Sequence, residues 1–346
     1  MKEGAVGERS GVVGVGNWLV DVIHTIASWP NKGDLVRISE QVVGVGGGAA
    51  NVLTDLRRLE APFALAAFGC IGDDAYATII TDHCAQTGLA TDGLTTLANV
   101  TTSHTHVMSL PGDNRTFFYH AGANDALLPE HVPVDELGAA GYRLLYLGYL
   151  MLLGALDRLD TDGMTPAAHL LARARAAGML TCVDFVSDGR PEYAAIVAPS
   201  LPHCDYLVIN EIEAARATGI TIRDDDDRFA LAAARAAGQR LLELGVIEAV
   251  VIHAPEGAVW ASRTGPVEWC PAQPLPAQQI VSAVGAGDAF CAAVIYGLHQ
   301  GWPAPLLLRV AHRVAAACLT GATATSGIVP MSAFLSAPEF AELTAR

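Results

Sequence analysis

The sequence predicts an α/β fold in which a mostly parallel β-sheet is covered by helices. Short apolar segments alternate along the chain with longer segments that are rich in Ala, Leu and Arg and have the helical period. The apolar segments are hydrophobic at successive positions, which indicates strands buried on both faces, as in a parallel sheet. Glycine follows several helical segments, and glycine readily adopts the left-handed conformation that ends a helix.

The predicted elements follow in chain order. Strands are expected at residues 12–16, 63–69, 144–150, 179–185, 204–210 and 248–254. Helices are expected at residues 50–59, 74–87, 166–178, 213–219, 228–245, 287–301 and 304–321. Helices therefore separate most successive strands, which is the connection that parallel strands need.

Two segments, residues 21–45 and 99–120, interrupt this alternation because they lack the helical period. The second alternates in the manner of a strand, and PGDN at 111–114 is a typical turn sequence. We expect both segments to form an antiparallel accessory sheet beside the main sheet.

The composition limits the classes of function. With 346 residues, of which 51% are hydrophobic and 16% charged, the chain can bury a large core. The net charge of −15 argues against nucleic-acid binding, which needs a basic surface. No apolar run is long enough to span a membrane, and the N-terminus lacks a secretory signal pattern. Seven scattered cysteines without a CxxC pair indicate reduced thiols, so we expect a cytoplasmic protein.

The segment SAVGAGDAF, residues 282–290, places a carboxylate behind a glycine-rich turn at the start of an apolar helix. The small residues Gly285, Ala286 and Gly287 allow backbone N–H groups to converge, and a helix N-terminus carries a partial positive charge. This segment can therefore bind an anion. Taken alone, Asp288 fits either an ordinary helix cap or a catalytic base.

Two earlier segments contain candidate ligand-binding residues. VGGGAANV, residues 45–52, is either a flexible turn or a place where a ligand contacts bare backbone beside the amide of Asn51. GNWLVD, residues 16–21, puts Asn17 and Asp21 after the first strand. The carboxylate of Asp21 could bind sugar hydroxyl groups, or Asp21 could simply begin an accessory strand.

NEIEA, residues 210–214, lies at the end of an apolar strand. In open parallel sheets, ligands bind at the carboxyl ends of the strands. An amide and two acids at that edge suit a hydrated Mg²⁺ ion with phosphate, because Mg²⁺ keeps most of its water ligands. The same residues also fit a helix that begins with an Asn cap and acidic residues in its first turn, and both interpretations stay open.

Taken in order, these segments resemble those of the ribokinase (PfkB) family of carbohydrate and nucleoside kinases. The resemblance runs from about Val12 to about Pro330, and it includes FGCIGDD at 68–74 and DNRTFFYH at 113–120. Each motif is weakly specific by itself, whereas their order and spacing are strongly specific.

The resemblance implies a three-layer α/β/α core with a central, mostly parallel sheet and a small β-sheet lid over the sugar. We expect a single domain over residues 11–335, with the lid insertions at 21–45 and 99–125. Residues 1–10 are expected to be disordered. Lid strands with free edges also suggest a homodimer in which two lids pair, as is common in the family.

The resemblance further implies an ATP-dependent kinase with a sugar or sugar-like substrate. Asp288 matches the catalytic base, which takes the proton from a primary alcohol. Ala286 and Gly287 match the backbone anion hole for the transferred phosphoryl group, within the GAGD segment that starts at Gly285. Lid closure would exclude water, which otherwise competes as the acceptor.

Other residues match the substrate and cofactor positions of the family. Asn210 and Glu213 match the N-x-x-E that holds Mg²⁺ and phosphate through water, with Glu213 on the metal side, and Gly257 matches a glycine of the nucleotide loop. The candidates for binding the substrate are Asn17, Asp21, Gly46, Gly47 and Asn51.

Three segments depart from the family pattern. The usual Asp-Thr ahead of GAGD is replaced in SAV at 282–284, and those positions help to bind an activating monovalent cation, so K⁺ activation is not expected. The T-x-G-x-x-G of the nucleotide loop reads IHAPEG at 252–257 and keeps Gly257, which implies altered nucleotide contacts. The D-x-N-x-R segment reads DFVSDGR at 184–190 and keeps Asp184 without its Asn.

The sequence argues against two other classes of enzyme and leaves two alternatives to the sugar kinase. A nicotinamide-dependent oxidoreductase would need G-x-G-x-x-G between a strand and a helix, and the glycine segments of this chain do not provide it. A P-loop kinase is excluded because G-x-x-x-x-G-K-[ST] is absent. A nucleoside kinase of the same family remains the alternative enzyme. A non-catalytic sugar or nucleoside sensor remains the alternative binding protein, although the presence of Asp288 argues against it.

The histidines offer one further alternative. SHTH at 103–106 puts His104 and His106 on one face of a predicted strand, where they could share a metal ion. Because no third ligand lies nearby in the sequence, lid or surface positions are the simpler interpretation. His253 ends an apolar strand and is interpreted as a core or loop histidine.

Overall fold

The computed structural model describes residues 9–110, 116–273, 275–337 and 340. The strands are β1 (Val12–Gly16), β2 (Leu19–Ile26), β3 (Ile38–Gly46), β4 (Leu65–Ile71), β5 (Leu94–Thr96), β6 (His104–Ser109), β7 (Thr116–His120), β8 (Leu144–Leu150), β9 (Leu180–Phe185), β10 (Tyr206–Asn210), β11 (Ala249–Ala254), β12 (Gly257–Ser262) and β13 (Glu268–Pro271). The α-helices are α1 (Gly48–Arg58), α2 (Ala75–Thr87), α3 (Val134–Ala139), α4 (Pro166–Ala176), α5 (Tyr193–Val197), α6 (Glu211–Thr218), α7 (Leu231–Glu243), α8 (Ala286–His299), α9 (Ala304–Leu319) and α10 (Met331–Leu335). The predicted PGDN turn and residues 1–8 of the segment predicted to be disordered lie outside the described residues.

The larger sheet has nine strands in the order β13-β12-β11-β10-β9-β8-β1-β4-β5. All pairs from β11 to β5 are parallel, which confirms the prediction of a mostly parallel central sheet. Strands β12 and β13 extend it with antiparallel pairs that were not predicted. Strand β13, EWCP, has only four residues and no apolar run, whereas the AVWA run of β12 is a strand signal that the prediction missed.

Helices cover both faces of this sheet. Neighbouring residues of one strand enter opposite layers: Val12 packs with the buried residues of α1, α8 and α9, whereas Val13 packs with those of α4 and α7. The same alternation holds for Tyr146 and Leu145 in β8. Because each strand contributes to two hydrophobic layers, its sequence is apolar throughout, and the architecture has the three layers that the resemblance implied.

The smaller sheet, called the lid sheet here, has the order β3-β2-β6-β7. The prediction of an antiparallel accessory sheet is wrong at one pair, because β2 and β6 are parallel. Strand β2 follows β1 and β6 follows β5, and both β1 and β5 belong to the parallel set of the main sheet. Both segments therefore enter the lid sheet from the same edge and run in the same direction. The pairs β2–β3 and β6–β7 are antiparallel, as predicted.

The carboxyl ends of the parallel strands meet along one edge of the main sheet. Asp184 lies near the end of β9, Asn210 ends β10, and His253 is paired with Asn210 in β11. Helices α1 and α8 begin at the same edge, so their first turns lie among these polar residues. Such an edge is the usual place for a ligand in an open α/β sheet.

The cysteines have the reduced state that the sequence predicts. All seven cysteines are buried free thiols. Within the described ranges, we find no helix with both the length and the apolar character needed to cross a bilayer.

Candidate active site

Asp288 is the third residue of α8, and its side chain is only 3% exposed. Helix α8 is capped by Gly285 in the left-handed conformation, so Asp288 does not serve as the N-cap. Instead, its Oδ2 accepts hydrogen bonds from the Asn51 amide at 2.8 Å and from the Tyr149 hydroxyl at 2.9 Å. Its Oδ1 is buried and has no hydrogen-bond partner among the described residues. A buried acceptor without a donor is costly, which marks the position where a ligand hydroxyl group would fit.

Burial raises the pKa of the Asp288 carboxyl group to about 7. The hydrogen bonds from Asn51 and Tyr149 lower this pKa and the negative charge of Asp21 raises it, but burial is the largest effect. A carboxyl group with a pKa near neutrality is well matched to act as a general base in a cell.

The backbone before Asp288 takes its shape from glycine. Gly285 has φ +83°, and a Cβ atom there would lie 2.6 Å from the Cβ of Ala324. The following amides, of Ala286 and Gly287, lie in the first turn of α8, where N–H groups have no acceptor within the helix. The start of α8 therefore presents backbone donors and the positive end of the helix dipole beside Asp288.

Each of the three glycines in the VGGG segment is required by a different close contact. A Cβ atom on Gly46 would collide with the carboxylate of Asp21, and Gly47 has φ +103° with its Cα facing the backbone of Asn17. A Cβ atom on Gly48 would lie 2.7 Å from Cδ1 of Tyr149. The glycines thus allow α1 to begin close to two polar side chains and bring Asn51 within reach of Asp288.

A large cavity of about 910 Å³ lies between the lid sheet and the main sheet. Its polar residues include Asp21, Asn51 and Asp288, and Gly47 lies on the same wall. Its lid side is aromatic and apolar, with Phe117, Tyr119 and Leu110. The structure therefore brings together five of the predicted site residues around one cavity, since Gly285 lines it as well.

A smaller cavity of about 220 Å³ adjoins it, since both are lined by Asp288, Gly285, Tyr149, Val186 and Ser187. The residues that line the smaller cavity alone are Asp184, Phe185, Asn210, Glu213, His253 and Gly287. Asp288 thus lies at the junction of the two cavities.

Asn210 and Glu213 form a reciprocal capping box at the start of α6. The Asn210 Oδ1 accepts from the backbone N–H groups of Ile212 and Glu213, and Glu213 Oε2 accepts from the backbone N–H of Asn210. The amide of Asn210 and the hydroxyl of Ser187 both donate to Glu213 Oε1, at 2.7 and 3.0 Å. The capping interpretation of NEIEA is therefore correct, and the same two side chains also line the smaller cavity.

Three carboxylates surround the smaller cavity, and each has a raised pKa. Burial raises the pKa of Glu213 to about 7, against the lowering effect of its hydrogen bonds. Burial and then the negative charge of Glu213 raise the pKa of Asp184 well above its usual value. Together with Asp288, these groups concentrate negative charge at one point, which a cation would neutralise.

Four of the predicted site residues are not among those that line the two cavities: Ala286 in the first turn of α8, Asn17, Gly46 and Gly257. Asn17 is fully buried, and its amide donates to the carbonyl of Leu152, which lines the larger cavity. Gly46 ends β3 against Asp21. Gly257 begins β12, where a Cβ atom would collide with the Trp269 ring.

Two residues of the site were not found by sequence reasoning. The sequence predicts Tyr149 only as one residue of a buried strand, because a conformational irregularity in β8 leaves no mark in an apolar sequence. His253 was interpreted as a core or loop histidine, yet its ring lies 3.4 Å from the Cβ position of Gly287 and lines the smaller cavity. Burial lowers the pKa of His253 to about 4, so its imidazole is neutral at physiological pH. The missed signal was the position of His253 at the carboxyl end of a parallel strand.

The lid histidines pack with one another. The rings of His24 and His106 stack, with Nε2 and Nδ1 3.1 Å apart, and the ring of His104 lies against those of Tyr76 and His120. No group of three or more His, Cys, Asp or Glu side chains among the described residues is placed to hold a metal ion. The interpretation of His104 and His106 as lid residues therefore agrees with their packing.

Residues 10–330 match the family model described as pfkB family carbohydrate kinase. The chain is 25% identical to ribokinase of Schizosaccharomyces pombe over 92% of this chain and 94% of that protein. It is 23% identical to adenosine kinase of Saccharomyces cerevisiae over 82% of this chain and 80% of that protein.

Solved structures show the same fold. The structure of Arabidopsis thaliana ribokinase complexed with ribose and ATP superposes with a TM-score of 0.76 and 22% sequence identity. The superposition covers 95% of this chain and 98% of that chain. The expected three-layer core with a separate small sheet is therefore confirmed.

Proposed function

Since this chain belongs to the pfkB family of carbohydrate kinases, we propose that it transfers the γ-phosphoryl group of Mg-ATP to a primary hydroxyl group of a sugar or sugar-like substrate. It is a phosphotransferase with an alcohol group as acceptor, and the identity of that alcohol is the open part of its function. In this proposal Asp288 is the general base and the GAGD backbone, Gly285–Asp288, is the anion hole.

The observation that carries the proposal is the position of Asp288. One oxygen of its carboxylate is held by two donors, while the other is buried without a partner in the described part of the chain. A substrate hydroxyl group in the larger cavity would donate to this second oxygen and lose its proton to it as the new P–O bond forms and the bond between the γ-phosphorus and the bridging oxygen of ADP breaks. The γ-phosphoryl group would approach from the smaller cavity, where the first-turn amides of α8 stabilise its equatorial oxygens.

The residues of the smaller cavity suit a magnesium ion held through water. Asp184 and Glu213 would contact the water ligands of the ion, and its positive charge would favour their ionised forms, which burial disfavours by raising the pKa of both groups. When bound with ATP, Mg²⁺ would neutralise the phosphate oxygens and orient the γ-phosphoryl group. The direct hydrogen bonds of Glu213 to Asn210 and Ser187 leave it suited to water-mediated contact rather than direct coordination.

A third cavity, of about 240 Å³, is a candidate binding site for the rest of the nucleotide. It lies between β13 and α9 and is lined by Arg309, His312 and Arg313. The ring of Phe290 connects it to the smaller cavity, since this ring contacts both His312 and His253. Cationic and aromatic side chains in this cavity suit the base and inner phosphates of ATP.

A nucleoside is the second candidate acceptor. Asp21 and Asn51 offer a carboxylate and an amide for sugar hydroxyl groups in the larger cavity. The same cavity is lined by Phe117, Tyr119 and Leu110, on which a nucleobase could stack. These apolar side chains favour a sugar that carries an aromatic substituent over a free pentose.

The loop before α8 supports activity without K⁺. Ser282 has no carboxylate to offer a cation, and its hydroxyl accepts from the backbone N–H of Val284. The thiol of Cys318 donates to the carbonyl oxygens of Val284 and Ala324, at 3.5 and 3.0 Å. We expect turnover to change by less than about twofold when K⁺ replaces tetramethylammonium in the assay. Activation of more than about tenfold by K⁺ would show that the loop before α8 binds a monovalent cation.

The decisive experiment measures ADP release from Mg-ATP with the wild type and Asp288→Asn. The acceptors are pentoses, hexoses, keto-deoxy acids and nucleosides, each tested separately. We expect at least one acceptor to be phosphorylated, with kcat at least about a hundredfold lower in the variant because the base is lost.

Binding measurements by calorimetry with the same acceptors complete the design. A wild type that binds a sugar or nucleoside but never phosphorylates it would identify a sensor instead of a kinase. Equal turnover by wild type and variant would contradict the role of Asp288.

A further inference from the structure

Strand β8 is irregular where it reaches the active site. The pairing of β8 with β9 shifts register between Leu147 and Leu150, so Gly148 and Tyr149 form a local bulge. Tyr149 has φ +61°, a left-handed conformation that is uncommon for a residue with a large side chain. Bulges and strained residues of this kind redirect side chains and concentrate at functional sites.

The bulge directs the Tyr149 hydroxyl to Asp288. The hydroxyl donates to Oδ2 at 2.9 Å, on the same oxygen that accepts from Asn51. The ring rests on Gly48, where any Cβ atom would displace it. Burial and the nearby negative charge of Asp288 hold the pKa of Tyr149 well above its usual value, so the hydroxyl keeps its proton and always acts as a donor.

We propose that Tyr149 is a positioning residue for the general base. It fixes the Asp288 carboxylate in the rotamer that leaves Oδ1 for the substrate, and its hydrogen bond stabilises the ionised form of that carboxylate. This inference rests on the proposed function, because it assigns a role in the same reaction. Nothing in the sequence pattern of β8 indicates it, and it follows from the bulge, the left-handed backbone and the hydroxyl–carboxylate contact together.

The test compares the full-length wild type with Tyr149→Phe, using Mg-ATP and either D-ribose or adenosine. We expect kcat to fall by about tenfold to a hundredfold with little change in KM. We also expect the acid limb of kcat/KM to move to higher pH, because the ionised base has lost a donor. Tyr206→Phe is the matched control, since it removes a hydroxyl group at the opposite end of the sheet, and its profile should match the wild type.

A second measurement does not depend on turnover. The pH dependence of urea unfolding reports the ionisation of Asp288, since its raised pKa makes the folded protein lose stability as pH rises through about 7. Tyr149→Phe should extend this loss to higher pH, and the difference should vanish when Asp288→Asn is present in both proteins.

The outcomes separate this proposal from the proposed function. If no acceptor is phosphorylated but the unfolding difference appears and depends on Asp288, the kinase proposal fails while the Tyr149 contact stands. If Tyr149→Phe changes KM alone, or lowers kcat without moving either pH dependence, Tyr149 is a substrate contact or a packing residue and the proposal is overturned.

Discussion

At the residue scale, the proposed function depends on one carboxyl group, and two features of its environment act on its ionisation in opposite directions. Burial favours the protonated form of Asp288, and two donors on Oδ2 favour the ionised form. With a pKa of about 7, a large fraction of Asp288 is ionised at neutral pH, and the carboxylate is basic enough to accept a proton.

The pH dependence of kcat/KM should therefore show an acid limb with a midpoint near 7. A general base is active only when ionised, so the rate should rise as pH increases through the pKa of Asp288. The measurement is a set of initial rates with Mg-ATP between pH 5.5 and 9 on the best acceptor.

The control is the same measurement on Asn51→Ala. A limb that came from titration of ATP or Mg²⁺ would have the same midpoint in both proteins. Loss of the 2.8 Å hydrogen bond should move the midpoint upward by about one pH unit. A midpoint that is the same in both proteins would mean that the limb belongs to another group.

At the scale of elements, α1 carries a second buried carboxyl group. Asp55 lies one helical turn after Asn51, is fully buried, and has no hydrogen-bond partner for either oxygen in the described ranges. Burial, and then the charge of Asp288, raises its pKa well above the usual value. The carboxyl group stabilises the fold only while it is protonated, and this contribution is lost as pH rises through the raised pKa.

Asp55→Asn should consequently stabilise the protein at high pH. We expect the free energy of unfolding in urea to rise by about 1–3 kcal/mol at pH 8, and by less at pH 5, where the wild-type group is protonated. Asp82→Asn, at an exposed position of α2, should change stability at neither pH. A loss of stability at pH 8 would show that Asp55 has a partner that stabilises its ionised form.

The start of α1 offers a second test at this scale. Gly48→Ala would place a Cβ atom 2.7 Å from the Tyr149 ring and 3.2 Å from Cα of Gly148, so the ring must move away from Asp288. We expect kcat to fall by at least about tenfold although no polar group is removed. Gly44→Ala, in the preceding strand, meets only ordinary contacts with Thr323 at 3.7 Å and should retain wild-type kcat. Similar rates for the two variants would contradict this account.

At the scale of the whole molecule, the lid sheet has two free edges, β3 and β7, and exposed apolar residues. Val43 and Phe118 are both exposed, with 41% and 53% of their surface accessible. Unpaired strand edges and apolar side chains favour association with a second copy. We expect a homodimer that pairs through its lids.

Light scattering after size-exclusion chromatography measures this directly. The wild type should elute with the mass of two chains, and Val43→Glu with Phe118→Glu should give one chain, because buried like charges oppose pairing. Leu159→Glu replaces another exposed apolar residue outside the lid and should leave the mass unchanged. A wild type with the mass of one chain would refute lid pairing.

The sequence predicts the main sheet well because its strands are buried on both faces. A strand such as β8 is an uninterrupted apolar run, so its position follows from composition alone. The parallel pair of β2 and β6 could not be predicted, since pairing between segments far apart depends on where the chain enters the lid. The same apolar run that reveals β8 conceals the bulge at Tyr149.

The sequence likewise predicts only some residues of the candidate site. Asp288, Asn51 and Asp21 lie on one cavity because ordered glycine motifs bring loops to the same sheet edge. Asn17 and Gly257, by contrast, line neither cavity, since the structure buries Asn17 and packs Gly257 against the Trp269 ring. Which side chain a residue contacts is decided by packing, and packing leaves little periodic trace in a sequence.

The lid sheet contributes to only one of the two cavities that meet at Asp288. Thr105, Phe117 and Tyr119 line the larger cavity, whereas the described residues of the smaller cavity all follow Gly148 in the chain. In the proposed function, the lid strands therefore help to choose the acceptor, but they do not line the cavity in which phosphate would be transferred. Exchange of the lid strands would alter the acceptor cavity and leave the lining of the smaller cavity intact, which offers a way to change the substrate of this kinase without rebuilding its phosphate site.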